Sequence, residues 1–272
     1  NKKDYFCFWN RRKATTDTQP HSNGQTMRKL VIIPTYNERE NIAAMIDKVF
    51  SLNDTFDLLI IDDGSPDGTA AIVREQQKEH PDRLHLLERN GKQGLGTAYL
   101  TGFRWGLEHG YDSICEMDCD FSHNPDDLPR LHTAIAEGYD VAVGSRYVKG
   151  VNVVNWPMSR LLMSYFASKY VRMVTRLPLH DATAGFVCYS RRALEAIDLD
   201  GVRMKGYGFQ IEMKYSAWRL GLKLREIPIV FTERREGNSK MSGHIFGEAL
   251  FGVLRLPFRK IRASRKIAQS DK

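Results

Sequence analysis

Two carboxylates two residues apart, Asp118 and Asp120 with Cys119 between them, are the sharpest chemical feature of this sequence. They follow an apolar run that ends at Met117. Paired carboxylates at a strand end can share one hard divalent cation, leaving its other positions to water and phosphate oxygens. A diphosphate leaving group needs such a cation, because negative charge builds on the bridging oxygen as the bond breaks. A bare Asp-x-Asp is more often a solvated turn, but the strand in front of this pair favours the metal. Asp62 and Asp63 end a second apolar run and open the turn Gly64–Gly68. Asp63 is placed to accept hydrogen bonds from a base or a ribose hydroxyl, while Ser65 or Asp67 caps the helix that follows. Arg146, and the pair Arg234 and Lys240 in a loop that contains Gly237, are candidate phosphate clamps. His123, His132, His180 and His244 show no metal or triad spacing and read as structural or surface residues. Gly91–Gly96 lacks the spacing of a phosphate loop.

The elements that position these residues alternate. Apolar runs at Leu30–Ile33, Leu58–Ile61, Leu84–Leu87, Ser113–Met117 and Val141–Val143 predict strands. Between them, helical spacing predicts helices over Ile42–Val49, about Ala70–Val73, over Gly96–Glu108 and over Asp127–Ala136. Asn37, with Glu40 three positions on, predicts the cap of the first. Such alternation implies an α/β chain with a mostly parallel, Rossmann-like sheet and helices on both faces. The ligand crevice of such a sheet lies beyond the carboxyl ends of its strands, where Pro34–Glu38, Asp62–Gly68, Asp118–Asp120 and Gly144–Tyr147 all fall. The second half breaks the rhythm. Helices are predicted at Pro157–Val174, Gln210–Leu220 and Ile245–Leu256, and strands at Thr183–Tyr189 and Leu224–Phe231.

The chain has 272 residues, 42% hydrophobic and 27% charged, which excludes a mostly disordered chain and a polytopic membrane protein. Its formal net charge of +7 suits anionic partners. Nucleic acid is not expected among them, since no aromatic-basic binding motif occurs. Residues 1–26 read as a flexible extension, 27–254 as the folded domain and 255–272 as a basic tail. Four cysteines without a Cys-x-x-Cys pair suggest reduced thiols. No apolar run reaches the length of a spanning helix. Trp156–Val174 sets Trp156, Leu161, Leu162, Tyr165, Phe166 and Tyr170 among Arg160, Lys169 and Arg172, while Ile245–Leu256 presents Phe246, Leu250, Phe251 and Leu254 ahead of the basic tail. Such helices can lie in a membrane interface with cations toward anionic headgroups.

These motifs resemble the family-2 glycosyltransferases of GT-A fold, and among them the dolichyl- or polyprenyl-phosphate mannose synthases. The resemblance rests on PTYNERENI (34–42), IIDDGSPDGT (60–69), GLGTAY (94–99), MDCDFSHNP (117–125), GSRY (144–147), TAGF (183–186), GYGFQIEM (206–213) and EIPIVFTERREGNSKMS (226–242), and spans about Lys29 to Leu254. It implies a GDP-mannose donor with Pro34, Tyr36, Glu38, Ile61 and Asp63 around the guanosine. It implies Mg²⁺ or Mn²⁺ on Asp118 and Asp120, backbone contact from Cys119, and phosphate binding by Arg146, Arg234 and Lys240. Ser122 stands where some relatives carry a further metal-contacting Gln. The implied acceptor is a polyprenyl phosphate, already an anion and so a competent nucleophile without a general base. Inverting in-line transfer follows, with Glu212 positioning side chains rather than abstracting a proton. The implied location is peripheral, on the cytoplasmic face of a membrane, and some relatives use a small anchoring subunit. The alternatives are another donor such as UDP-glucose, or a non-catalytic nucleotide-binding subunit. The QxxRW signature of processive polysaccharide synthases is missing.

Overall fold

A computed structural model describes residues 27–233 and 251–264. Seven strands form one sheet in the order β3-β2-β1-β4-β7-β5-β8. They are β1 (Lys29–Thr35), β2 (Asp57–Asp62), β3 (Leu84–Glu88), β4 (Ser113–Glu116), β5 (Val141–Ser145), β7 (Val187–Ser190) and β8 (Leu224–Pro228). β1, β2, β3 and β4 pair in parallel. β7 runs antiparallel to both β4 and β5, and β8 is parallel to β5. β6 (Val153–Val154) and β9 (Phe231–Thr232) form a separate parallel pair.

The central strands are covered on both faces, so they read as continuous apolar runs whose residues alternate between two cores. Leu30 and Ile32 enter one core with Ala98 and Phe103 of α3 (Leu95–Glu108) and Phe209 and Ile211 of α7 (Tyr207–Arg219). Val31 and Ile33 enter the other with α1 (Ile42–Phe50), α2 (Thr69–Gln77) and α4 (Leu128–Ala136). At Gly102 a Cβ would come within 2.7 Å of Ile32, so only glycine lets α3 lie this close over β1. In the second half, α5 (Met158–Thr175) and α6 (Arg191–Ala196) flank β7 in the chain. Residues 251–255 are helical and lead into a 3₁₀ turn at Leu256–Phe258. Leu256 is buried, Ala263 bridges to Ile197, and Arg259 pairs with Glu212, so this stretch lies on the domain.

Several sequence expectations shift. Asn37 does not cap α1: it takes a left-handed turn (φ 56°), and the helix starts at Ile42 behind Asn41. Asn tolerates that backbone region, and the first free amides are met instead by the Glu38 carbonyl. The strand expected over Thr183–Tyr189 begins only at Val187, because 181–186 form a loop. The strand expected over Leu224–Phe231 ends at Pro228, which offers no amide to a ladder, and the chain re-enters pairing as β9. α6 was not expected. Of the helix predicted over Ile245–Leu256, residues 245–250 lie outside the described residues, as do 1–26 and residues 265–272 of the basic tail.

Candidate active site

The first wall of the site is the turn after β2. Asp62 is saturated by its own neighbourhood: Thr35 Oγ1 donates to it at 2.9 Å, Ser65 N at 2.8 Å and Ser65 Oγ at 2.6 Å. It is the brace of the turn. Asp63 instead faces Arg89, whose Nε donates at 2.7 Å, with both side chains 9% exposed. Asp67 accepts from the amide and hydroxyl of Thr69, the first residue of α2, but the N-cap position itself is Gly68 and not Ser65 or Asp67. Tyr36 lies under Lys92, 5.1 Å from the ring centroid, and Glu38 accepts from Asn41. Ile61 is fully buried, so its side chain supports the wall from below.

β4 ends at Glu116, and Asp118, Cys119 and Asp120 follow at the carboxyl edge of the sheet. The Asp118 side chain is 41% exposed, whereas Asp120 is buried and accepts from Ser122 N at 3.1 Å. Cys119 packs into the core beneath. Tyr99 of α3 reaches Asp118 with its hydroxyl at 3.4 Å. Burial first, and the Asp118 charge second, hold that phenol well above its ordinary pKa. The Asp118 amide donates to His123 Nδ1 at 3.2 Å, which leaves that nitrogen unprotonated. Burial likewise holds the His123 imidazole below its ordinary value. Two hard carboxylates at one strand end, one exposed and one fixed by its own turn, are a donor set that fits Mg²⁺ or Mn²⁺.

On the other side of His123 lies a small cleft lined by Gly144, Arg146, Ala184, Gly185, Ile229 and Phe231. Arg146 is buried and gripped by Asp181: Nε donates at 2.7 Å and Nη2 at 2.6 Å, with a further Nη2 bond to Thr183 Oγ1 at 2.9 Å. Burial raises the Asp181 carboxyl, but Arg146 outweighs it and holds the group below the ordinary 3.8. The Arg146 guanidinium also lies against Trp156 and Phe231, at 5.6 and 5.7 Å from their ring centroids. Arg160 covers Trp156 at 4.3 Å and pairs with Glu233 at 2.9 Å. Among the described residues, the buried Trp156 Nε1 has no acceptor. An indole N–H between two guanidinium groups is a donor arrangement for an anion.

Beneath the site, Glu116 and Lys214 are both fully buried. Burial pushes the Glu116 carboxyl up to about 8 and the Lys214 amine down to about 8. Glu212, also buried, accepts from the amides of Arg203 and Met204 and pairs with Arg259. In the opposite core, Cys115, His132 and Cys188 lie within 4.8 Å of one another, the one such group of His, Cys and carboxylates among the described residues. Its members bond mainly to each other and to Ser113, which meets His132 Nδ1 at 2.7 Å. Cys115 and Cys188, like Cys119, are free thiols.

The fold therefore gathers Pro34, Tyr36, Glu38, Asp63, Asp118, Cys119, Asp120 and Arg146 along the edge where β1, β2, β4 and β5 end. Arg234 and Lys240 lie outside the described residues. Asp181, Tyr99, Arg89 and the Glu116–Lys214 pair were not anticipated. For the last, the signal was present: one charge inside the apolar run 113–117, and Glu212 and Lys214 within the helical stretch 209–217. Trp156, expected on a lipid-facing helix, lies instead against Arg146, and Arg160 covers Trp156 and pairs with Glu233.

The sheet order and this edge fit the GT-A architecture that the sequence motifs imply. Residues 30–198 match the model of glycosyl transferase family 2, and the chain belongs to that family. It is 48% identical over 242 residues to a polyprenol monophosphomannose synthase of Mycolicibacterium smegmatis, covering 89% of this chain and 91% of that protein. It is also 48% identical over 229 residues to an undecaprenyl-phosphate mannosyltransferase of Micrococcus luteus, covering 84% and 93%. Among solved structures, glucosyl-3-phosphoglycerate synthase from Mycobacterium tuberculosis, in complex with Mn²⁺, uridine diphosphate and glucosyl-3-phosphoglycerate, superposes with a TM-score of 0.61. That match has 18% identity over 87% of this chain and 84% of the other, and speaks for the fold alone.

Proposed function

We propose that this chain transfers mannose from GDP-mannose to a polyprenyl phosphate at a membrane surface, with inversion at the anomeric carbon. The names of its relatives support the acceptor and the sugar. The observation that carries the reading is the cluster of Arg146, Trp156 and Arg160 next to Asp118: a place for an anion beside a place for a diphosphate. Asp118 and Asp120 would hold Mg²⁺ or Mn²⁺, which when bound neutralises charge on the departing diphosphate. Asp63, Tyr36, Glu38 and Pro34 would frame the guanosine, with Ile61 behind them and the Cys119 backbone beside the diphosphate. Arg146, with Arg234 and Lys240, would screen the repulsion between two phosphate-bearing substrates. The acceptor oxygen is already ionised, so no side chain need remove a proton. Glu212 is consistent with that role division, since backbone amides and Arg259 engage its carboxylate.

The surface suits a lipid acceptor. α5 leaves much of its apolar surface outside: Ser168, Val171 and Thr175 are buried, while Met158, Leu162, Met163, Phe166 and Met173 are exposed. Phe251, Leu254 and Phe258 are exposed on the segment that packs beside α5, and Arg172, Lys169 and Arg255 accompany them. Contiguous exposed apolar surface bordered by cations suits the interface of an anionic bilayer. Among the described residues no helix is long and apolar enough to cross a membrane.

A donor panel tests the proposal. Radiolabelled GDP-mannose, UDP-glucose and UDP-GlcNAc are each offered with a short polyprenyl phosphate and Mg²⁺ or Mn²⁺. Label from GDP-mannose alone should enter the lipid phase as a β-mannosyl phosphate. Transfer from a UDP-sugar instead would overturn the donor assignment, and an α-linked product would overturn inversion.

A further inference from the structure

Four charged side chains underlie the site with alternating sign: Glu116, Lys214, Asp181 and Arg146. Lys214, on α7, is the least expected, since it is 0% exposed. Stripping water from an ammonium is costly, and an apolar side chain of the same size often serves a core equally well or better. Nor does the cluster complete a saturated polar network. Among the described residues, Gln210 stands close enough to Glu116 to favour its charged form, yet Glu116 Oε2 and Gln210 Nε2 are buried without a well-formed hydrogen bond. Stability alone is therefore a poor reason for these charges.

What Lys214 does is local. Its Nζ donates to the Ala184 carbonyl at 2.6 Å and to Gln210 Oε1 at 3.4 Å. Burial works against its protonated form most strongly; the charges of Glu116 and Asp181 favour that form, and Arg146 opposes it. Ala184 lies in the middle of the loop 181–186, whose ends are held by Glu226 on Asp181 N and by Gly144 N on the Phe186 carbonyl, but whose own turn bond from Ala184 N to Asp181 O is a long 3.5 Å. The same loop supplies Asp181 and Thr183, which hold Arg146, and Ala184 and Gly185, which line the cleft beside His123. We infer that Lys214 is a positioning residue of the transferase site: set between Glu116 and Asp181, it fixes the loop 181–186 and, through it, the aim of Arg146 toward the acceptor. This rests on the proposed function for the identity of the acceptor, but not for the positioning itself.

Two measurements separate these. Hydrogen exchange of the ligand-free full chain reads the loop directly. In Lys214→Met the amides of 181–186 should exchange about tenfold faster, while those of the Asp62–Thr69 turn keep their rate. Equal exchange at 181–186 in the two proteins overturns the inference. In the transfer assay, the variant's KM for a short polyprenyl phosphate should rise about tenfold with the GDP-mannose KM within about twofold. Both constants moving together, or neither moving, also overturns it. Adding Glu116→Gln relieves the carboxylate left unpaired, so the thermal midpoint should recover while the acceptor KM stays high. An acceptor KM that recovers with the midpoint would make Lys214 a charge of the fold only. A wild-type chain that transfers no mannose condemns the substrate assignment, and exchange at 181–186 then decides the positioning on its own.

Discussion

The two halves of the site are built differently. On the side of β1, β2 and β4, each functional side chain sits in a turn directly after a parallel strand, and the turn itself braces two of them, Ser65 on Asp62 and Ser122 on Asp120, while Arg89 reaches Asp63 and Tyr99 reaches Asp118 from farther along the chain. On the side of β5 and β7 the partners are distant. Arg146 is held by Asp181, faces Trp156, and depends on a loop that Lys214 of α7 ties down. The first half adds local turn chemistry to its longer-range contacts, whereas the second rests on tertiary convergence. Substitutions should therefore have confined effects in the first and spreading effects in the second.

The sharpest test is Asp181→Asn. It leaves a buried guanidinium without its carboxylate, and the thermal or urea transition should lose about 3–5 kcal/mol. Acceptor use should suffer together with the fold. If stability stays within 1 kcal/mol or so of wild type, the second half is as locally built as the first.

Next, Asp120→Ala should lower turnover by about 10²–10³-fold with little change in the thermal midpoint. Its circular dichroism should match that of wild type. A cooperative loss of structure would show that this turn is not self-contained.

Arg160→Met is expected to raise the KM for polyprenyl phosphate about tenfold and leave the donor KM nearly unchanged. An equal rise in both would move Arg160 to the nucleotide half. On the surface, Leu162→Ser with Phe166→Ser should weaken flotation with anionic liposomes several-fold while transfer to a detergent-dispersed acceptor persists. Unchanged flotation would remove α5 from the membrane contact.

The smallest effect concerns acid. Asp181 is held below its ordinary 3.8 by Arg146. A depressed carboxyl contributes stability above its unfolded value and loses it as pH falls through the folded one. The thermal midpoint of wild type should accordingly fall more steeply below about pH 4 than that of Asp181→Asn, whose side chain has no such proton to gain. Parallel curves would mean that the Arg146–Asp181 pair contributes no acid sensitivity.

This difference in construction also explains what could be read from the sequence. Asp118, Asp120, Asp63 and the strands before them were legible because apolar run, turn and carboxylate are adjacent. Arg146 was legible as a residue, but its engagement by Asp181, 35 positions away, was not. Trp156 and Arg160 sit at the start of an amphipathic stretch, and periodicity alone cannot say which residues at its end turn inward. α5 misleads in the same way, since it buries serine and threonine and exposes leucine and phenylalanine. The early termination of β8 was signalled by Pro228, but a run of β-branched residues around it masked the break.

One reversed strand has the widest consequence. Because β7 travels against β4 and β5, its first residue, Val187, stands abreast of Glu116 and Val143. A parallel strand in that slot would begin at the far edge, and the peptide entering it would never visit the catalytic side. Reversal lets the incoming peptide, rather than the outgoing one, supply Asp181 and Thr183. The length and wording of residues 177–186 can thus change without altering the register of any parallel neighbour. That gives the acceptor side room to diverge over a fixed nucleotide side.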